Sequence, residues 1–173
     1  MSLDQFNIFL SVGTVIGQFV IVCAILMLMF GRKIQLKAFK YIIEHAIVFA
    51  FIVALVSTLS SLYYSQIAHF VPCNLCWYQR ILMYPLVLML GFALWRKSVR
   101  ILEYSLLLSG IGTIISLYHN YIYYTAKVTN FCGLVSCSER YIVGFGYISI
   151  PLMALTGFLL IDLLLLNKKM LHR

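Results

Sequence analysis

Two cysteines in a C-x-x-C arrangement, Cys73 and Cys76, are the residues of this chain best suited to chemistry. Such a pair alternates between two thiols and a disulfide and so carries two electrons. The pair lies between two membrane-length apolar runs, and Trp77–Arg80 follow it directly. We therefore expect redox chemistry at the boundary between lipid and water, within reach of a lipid-soluble electron carrier and of a water-borne thiol protein.

A second pair, Cys132 and Cys137, occupies the other loop on the same side of the apolar runs. The spacing predicts a small exposed disulfide ring, and such rings exchange more readily than the disulfides that close large loops. With the first pair it would form an electron relay, and a structural staple is the alternative. Cys23 falls inside the first apolar run, where we expect a packed apolar residue.

The elements that position these cysteines are membrane-spanning helices, because 63% of the residues are hydrophobic and only 10% are charged. Five apolar runs are long enough to be considered, roughly 6–30, 42–70, 81–95, 101–124 and 145–166. The third reaches spanning length only if Trp77 and Tyr78 belong to it. The first lacks a positively charged flank, which predicts a retained helix and not a cleaved signal peptide.

The predicted fold is therefore all-α: an integral membrane four-helix bundle with one additional N-terminal transmembrane helix, five spans in total. Residues 1–40 would form the extra helix and a basic cytoplasmic loop, and residues 41–173 the four-helix domain. Short connections make successive helices of that domain antiparallel neighbours.

The distribution of the 13 basic residues predicts the orientation in the membrane. Ten lie on one side of the predicted spans: Arg32, Lys33, Lys37, Lys40, Arg96, Lys97, Arg100, Lys168, Lys169 and Arg173. Three lie on the other: Arg80, Lys127 and Arg140. The positive-inside rule then places the N-terminus and both cysteine pairs outside and the C-terminus in the cytoplasm. The net charge of +8 is a topology signal, so we expect no nucleic-acid partner.

The residues around the C-x-x-C pair suggest different roles for its two sulfurs. Pro72 disfavours helix just before the pair, so Cys76 is expected in the first turn of the third spanning helix. The helix dipole, and Arg80 one turn later on the same face, favour its thiolate. Cys76 would be the activated sulfur facing the bundle, and Cys73 would be freer to meet a second disulfide.

Near the outer end of the fourth span, His119 lies at about the depth expected for Arg80. It is either a packing residue or a donor to a quinone oxygen. Aromatic residues crowd the same ends of the helices: Tyr63, Tyr64, Phe70, Trp77, Tyr78, Tyr118, Tyr121, Tyr123 and Tyr124. They predict either an interfacial belt or a flat site for a quinone ring.

The segment Phe70–Pro85, FVPCNLCWYQRILMYP, closely resembles the active-site segment of bacterial DsbB-type disulfide bond formation proteins, especially the BdbC-like branch. Weaker matches are His119, the second cysteine pair and the segment Gly144–Pro151. The resemblance covers about residues 42–166.

This resemblance implies a four-helix thiol:quinone oxidoreductase in the bacterial plasma membrane. It would re-oxidise a soluble, thioredoxin-like (DsbA-like) thiol oxidase outside the cell and pass the electrons to a membrane quinone, menaquinone or ubiquinone. Arg80 would stabilise charge at the quinone, and His119 matches a histidine near it.

By the same resemblance, Cys132 would exchange with the partner's cysteine, with Cys137 as its mate. Cys73 would exchange with this second pair, and Cys76 would form an adduct or charge-transfer contact with the quinone. The close spacing of the second pair departs from family members that separate theirs widely, and so favours a short relay. The first span lies outside the four-helix pattern and has no assigned role.

Three other functions fit parts of the sequence. A vitamin K epoxide reductase-like enzyme also combines C-x-x-C with a helical bundle and a quinone, but the Trp77–Arg80 continuation favours the DsbB type. Four thiolates at C-x2-C and C-x4-C spacing could hold zinc, although an oxidising environment would convert them to disulfides. A structural membrane protein with stapling disulfides is the third alternative.

Overall fold

The structure, a computed structural model, describes residues 3–29, 37–96, 99–125, 137 and 144–171. Its elements are α1 (Leu3–Met29), α2 (Lys37–Glu44), α3 (Ala46–Leu62), a π-helical turn (Tyr63–Ile67), α4 (Asn74–Arg96), α5 (Val99–Thr125) and α6 (Ile150–Leu171). Within these ranges the β pairing is limited to a single bridge between Gly144 and Ile148. Five helices, with α3 continued through the π turn, are long and apolar enough to cross a membrane. The predicted all-α, five-span architecture is confirmed.

Three helix boundaries differ from the predicted ones. The third span begins at Asn74 and not near residue 81, so Trp77 and Tyr78 join it, as its length required. The last begins at Ile150 and not at residue 145, because Gly144 and Ile148 exchange backbone hydrogen bonds of 2.8 Å and close a turn before the helix. The first residues of the predicted second span, which begins at residue 42, belong instead to the separate amphipathic helix α2.

Helices α3 to α6 form a four-helix bundle in which α5 packs against α4 and α6, and α3 packs against the same two helices. The bundle core is apolar: Ala50, Ala54, Met83, Leu86, Leu90, Ala93, Leu102, Phe158, Ile161 and Leu165. Small residues allow the close approach, since a Cβ added at Gly112 of α5 would overlap the ring of Phe158 on α6. This packing fixes the rotation of each helix, and so determines which side chains face one another.

Helix α1 lies on the outside of the bundle along α6. A Cβ at Gly17 would lie 3.0 Å from side-chain atoms of both Thr156 and Leu160, so the two helices are in close contact there. Near the start of α1, the Tyr64 hydroxyl donates a 2.9 Å hydrogen bond to the Asn7 side chain. Helix α1 is therefore packed against the four-helix bundle at two levels.

Candidate active site

The C-x-x-C pair lies where an extended link meets the N-terminus of α4. The link follows the π turn, and its direction is set by His69, which adopts a left-handed φ of 54°, and by Pro72. The Cys73 carbonyl accepts a 3.2 Å hydrogen bond from the Trp77 amide, so Cys73 occupies the N-cap position and Cys76 lies in the first turn, as predicted. Both cysteines are free thiols, with their sulfurs 3.2 Å apart.

A histidine from α5 contacts the first of these sulfurs. Cys73 Sγ lies 3.7 Å from Nε2 of His119, and both residues are buried. On the other side of the imidazole, the amide nitrogen of Gln79 lies 3.3 Å from Nδ1 and also donates to Ser116 Oγ at 3.2 Å. An amide nitrogen can only donate, so Nδ1 accepts and the proton of a neutral His119 resides on Nε2, directed at the Cys73 sulfur.

These contacts favour a thiolate at Cys73. The hydrogen bond from the Cys76 thiol, followed by that from His119, lowers the pKa of Cys73 to about 4, against the opposing effect of burial. The N-terminus of α4 adds a favourable dipole. The structure therefore distributes the two roles differently from the sequence argument: in the reduced pair, Cys73 is the sulfur held as the thiolate, and Cys76 is the donor thiol beside it.

Arg80 is placed one turn below the pair on α4 by two hydrogen bonds to α3. Its Nε donates to Ser61 Oγ at 2.7 Å, and a terminal guanidinium nitrogen donates to the Ser61 carbonyl at 2.9 Å. The guanidinium also lies 5.4 Å from the centre of the Trp77 ring. The partner that an arginine in a membrane span requires is thus supplied by α3, and the positive charge is held rigidly close to the dithiol.

Cys137 brings the second cysteine pair to the first. It is disulfide-bonded and buried, and it belongs to one apolar cluster with Cys73, Leu75 and Ile122. Cys132 lies outside the described residues. The described half of the second pair is thus packed beside the C-x-x-C dithiol.

A cavity of about 360 Å³ opens beside the dithiol. It is lined by Cys73, Cys76, Arg80, His119 and Cys137. Its lining also includes many apolar residues of α1, α3 and α6, among them Phe9, Ile52 and Leu160. Its volume lies within the range of about 300–1,000 Å³ that is usual for small-molecule sites. The cavity could hold a flat, largely apolar molecule with its polar atoms towards Arg80 and the thiols.

Comparison with known proteins identifies the family that carries this arrangement. The family model of the disulfide bond formation protein DsbB matches residues 43–166, which is most of the chain and includes Cys73, Cys76, Arg80, His119 and Cys137. This chain belongs to the DsbB family. No solved structure matches it.

Several curated relatives of this DsbB-family protein are named as disulfide formation proteins C. The probable disulfide formation protein C of Bacillus cereus is 48% identical over 124 residues, covering 68% of this chain and 87% of the relative. The disulfide bond formation protein C of Bacillus subtilis is 48% identical over 118 residues, covering 65% and 83%. A probable disulfide formation protein C of Halalkalibacterium halodurans is 41% identical over 133 residues, covering 73% and 97%. The resemblance to the DsbB type and its BdbC-like branch is confirmed.

The same site also offers a set of metal ligands. The two sulfurs of Cys73 and Cys76 and one ring nitrogen of His119 all lie within 4.8 Å of one another. This is a three-ligand set of the kind that leaves one tetrahedral position open. It differs from the four-thiolate zinc site considered from the sequence, which required Cys132.

The structure brings together most of the predicted site residues in this DsbB-family protein: Cys73, Cys76, Arg80, His119 and Cys137. Sequence reasoning missed Gln79, which lies within the Trp77–Arg80 segment and orients His119. The available signal was a polar residue three positions after Cys76 in an apolar helix, because a buried amide in a membrane span needs a partner. Sequence reasoning also missed α1, which supplies part of the cavity wall.

Proposed function

We propose that this protein is a thiol:quinone oxidoreductase that re-oxidises a thioredoxin-like, DsbA-like thiol oxidase outside the cell and passes the electrons to menaquinone or ubiquinone. Disulfide formation is the activity that names its family. The observation that supports the quinone most directly is the opening of the dithiol into a cavity bordered by membrane-spanning helices. A lipid-soluble acceptor could reach the sulfurs there, whereas a protein partner could not.

Electrons would enter through the second cysteine pair. A thiolate of the partner attacks the disulfide of Cys137 with Cys132 and forms a mixed disulfide. The partner's other thiol resolves this mixed disulfide, so that the partner leaves with its own disulfide and Cys132 and Cys137 remain as thiols. One of these thiols then attacks an oxidised Cys73–Cys76 pair at Cys73, and the second resolves the mixed disulfide. The Cys73–Cys76 pair is then reduced: it has gained two electrons and keeps one proton, on the Cys76 thiol, while the other proton passes to water. The presence of Cys137 and Cys73 in one apolar cluster supports this short relay.

The dithiol would discharge into the cavity. When bound, a quinone supplies an acceptor for two electrons and two protons. Cys73 and Cys76 lose those electrons as they form a disulfide. The Cys76 thiol gives up one proton, and the second proton comes from water, because Cys73 is already a thiolate. His119 Nε2–H stabilises the anionic sulfur before transfer, and Arg80 presents a fixed positive charge where charge develops. The apolar remainder of the cavity excludes water from the reacting atoms.

The orientation follows from charge. The dithiol and Cys137 lie at one end of the bundle, and ten of the thirteen basic residues fall, by sequence, on the opposite side of the predicted spans. The positive-inside rule would place the cysteines outside a bacterial plasma membrane, where disulfides persist. In this arrangement residues 41–173 form the redox domain, and residues 1–40 are an addition to it.

The experiment is anaerobic turnover of the purified full-length protein in detergent. A reduced thioredoxin-like oxidase and a menaquinone or ubiquinone analogue are supplied, and quinone reduction is followed optically. We expect reduction that requires both the thiol partner and the protein. Absence of reduction with either class of quinone, together with bound zinc or inert disulfides, would assign the chain to the metal-binding or structural class.

A further inference from the structure

Helix α1, which precedes the region matched by the DsbB family model, contributes a wall of the cavity. Its contributing residues are Phe9, Leu10, Gly13 and Thr14. Their spacing of one, three and one residues places them on a single face of the helix. That face meets residues of α3, including Ile52 and Val56, across the cavity. The wall is continuous with the redox end, because the same cavity reaches Cys76 and Arg80.

The polar contacts of α1 hold this face in position. Asn7 accepts a hydrogen bond from Tyr64, and the Phe6 ring lies 4.0 Å from the Tyr63 ring, centre to centre. Further along, the Tyr147 hydroxyl donates to the Gln18 side chain at 3.1 Å. These contacts tie α1 to the π turn and to the turn before α6. The helix is therefore a fixed wall.

The cavity also borders the exposed surface of the spanning helices. Three residues that line it are also substantially exposed: Phe9 at 66%, Ile52 at 47% and Val56 at 43%. All three lie within membrane-spanning segments, so the surface they expose faces lipid. We read this opening as a lateral passage between α1 and α3, mainly apolar with hydroxyl groups from Thr14 and Ser57, that joins the lipid phase to the dithiol.

We propose that α1 and α3 form a channel for the isoprenoid tail of the quinone, a proposal that rests on the quinone reduction proposed above. The tail is long, flexible and apolar, and it must leave the ring site while the ring remains against Cys76 and Arg80. The lateral passage provides that exit, with apolar surface along it that stabilises a hydrocarbon chain. By this assignment, α1 determines the affinity of the enzyme for tailed quinones and leaves the chemistry at the thiols unchanged.

Gly13 provides the test. It lines the cavity, and a Cβ added there would meet no other atom within 4 Å, so the site offers open space in which a larger side chain can begin. We would measure KM for a menaquinone with a short isoprenoid tail and for menadione, which has the same ring and no tail, in wild type and in Gly13→Phe. Gly110→Phe is the matched control, because Gly110 on α5 is equally open and does not line the cavity.

In Gly13→Phe, KM for the tailed quinone should rise by about tenfold or more, the effect of excluding about two methylene groups from an apolar site. KM for menadione, and both KM values of Gly110→Phe, should change little. Gly13→Leu should give a smaller rise of the same kind and serves if the phenylalanine variant does not fold.

Equal changes for both quinones, or no change for either, would overturn the channel. The second result is expected if a lipid acyl chain, and not the quinone tail, occupies the passage. If wild type reduced neither quinone, the proposed function itself would fail, which distinguishes that failure from failure of the channel.

Discussion

Two polar clusters lie between membrane-spanning helices, and α5 contributes to both. The thiol cluster consists of Cys73, Cys76, Gln79, Ser116 and His119. The carboxyl cluster consists of Asp162 on α6, with its carboxylate hydrogen-bonded by Ser109 and, at 2.7 Å, by Thr113 of α5.

The clusters differ in their surroundings more than in their polarity. The polar atoms of the carboxyl cluster bond to one another, and none of its residues is among those that line the described cavity. The thiol cluster also contains linked polar groups, but it holds two redox-active sulfurs and opens into the cavity through Cys73, Cys76 and His119. A polar group in a membrane span becomes part of a reaction site when it has a reactive partner and access to a ligand; without them it joins helices.

The largest expected effect comes from removing a redox sulfur. Cys76→Ala should lower quinone reduction by more than about a thousandfold, because no disulfide can form to release the electrons. The matched control is Cys23→Ala, since Cys23 is a free cysteine on α1 away from the cavity lining. Steady-state turnover measures both. Activity near the wild-type value in Cys76→Ala would remove the basis for treating the thiol cluster as the reaction site.

The next effect is expected from the fixed charge. Arg80→Ala should slow quinone reduction by about a hundredfold, a magnitude typical of losing one preorganised electrostatic group. Exchange between the partner and the second cysteine pair should be largely preserved. Arg96→Ala, at the opposite end of α4, is the control, because Arg96 contacts only the rings of Phe92 and Trp95 among the described interactions. Equal loss in both half-reactions would contradict the role given to Arg80.

A smaller effect is expected in the pH dependence of alkylation. With a Cys73 pKa of about 4, the reduced protein should react with iodoacetamide at a rate that is nearly constant across neutral pH and falls only as the pH approaches 4. The alkylation midpoint should move upward in Cys76→Ala and less in His119→Leu, following the order of the two causes. The pH midpoint is measured by mass spectrometry of the alkylated Cys73 peptide over a pH series. A wild-type midpoint near the ordinary thiol value would show that these contacts do not hold a thiolate.

The same lowered pKa has a consequence for stability. Because folding lowers the pKa of Cys73, the thiolate stabilises the folded, reduced protein. This stabilisation is fully present above about pH 8.5, the usual thiol pKa, and is lost as the pH falls towards about 4. Oxidation of the pair removes the thiolate and should abolish this pH dependence. Denaturation of both forms over that range would reveal the difference.

The smallest effect on activity is expected in the carboxyl cluster. Asp162→Ala should leave quinone reduction close to wild type and lower the free energy of unfolding by about 1–3 kcal/mol, because two hydroxyl donors lose their acceptor. Thermal unfolding in detergent, beside a turnover assay, tests both parts. A selective loss of turnover with unchanged stability would contradict the distinction between the two clusters.

Much of this architecture could be predicted from the sequence, because lipid imposes a simple rule. Apolar runs of spanning length must be helical, and from this rule the five spans could be predicted. The rule and the family resemblance together predicted the position of the C-x-x-C pair. Boundaries were less certain: hydropathy cannot separate a helix from a tight turn of similar composition, and so it missed the bridge between Gly144 and Ile148 that delays the start of α6.

The assignment of roles within the site depended on information the sequence does not hold. The spacing on α4 placed Arg80 near Cys76 but could not show which face of α5 meets α4. That rotation is set by interhelical packing, and it brings His119 to Cys73. Gln79 was missed for the same reason, as was the contribution of α1 to the cavity.

The proposed mechanism requires that the Cys73–Cys76 dithiol reduce quinone directly. The most direct test is a single anaerobic turnover: fully reduced protein, freed of reductant and without any thiol partner, is mixed with menadione, and disulfides are mapped by mass spectrometry. We expect menadiol to form in an amount equal to the disulfides gained at Cys73–Cys76 and, through the relay, at Cys132–Cys137, and we expect neither product in Cys76→Ala. Menadiol formation in Cys76→Ala at the rate of the wild type would contradict direct reduction by the dithiol.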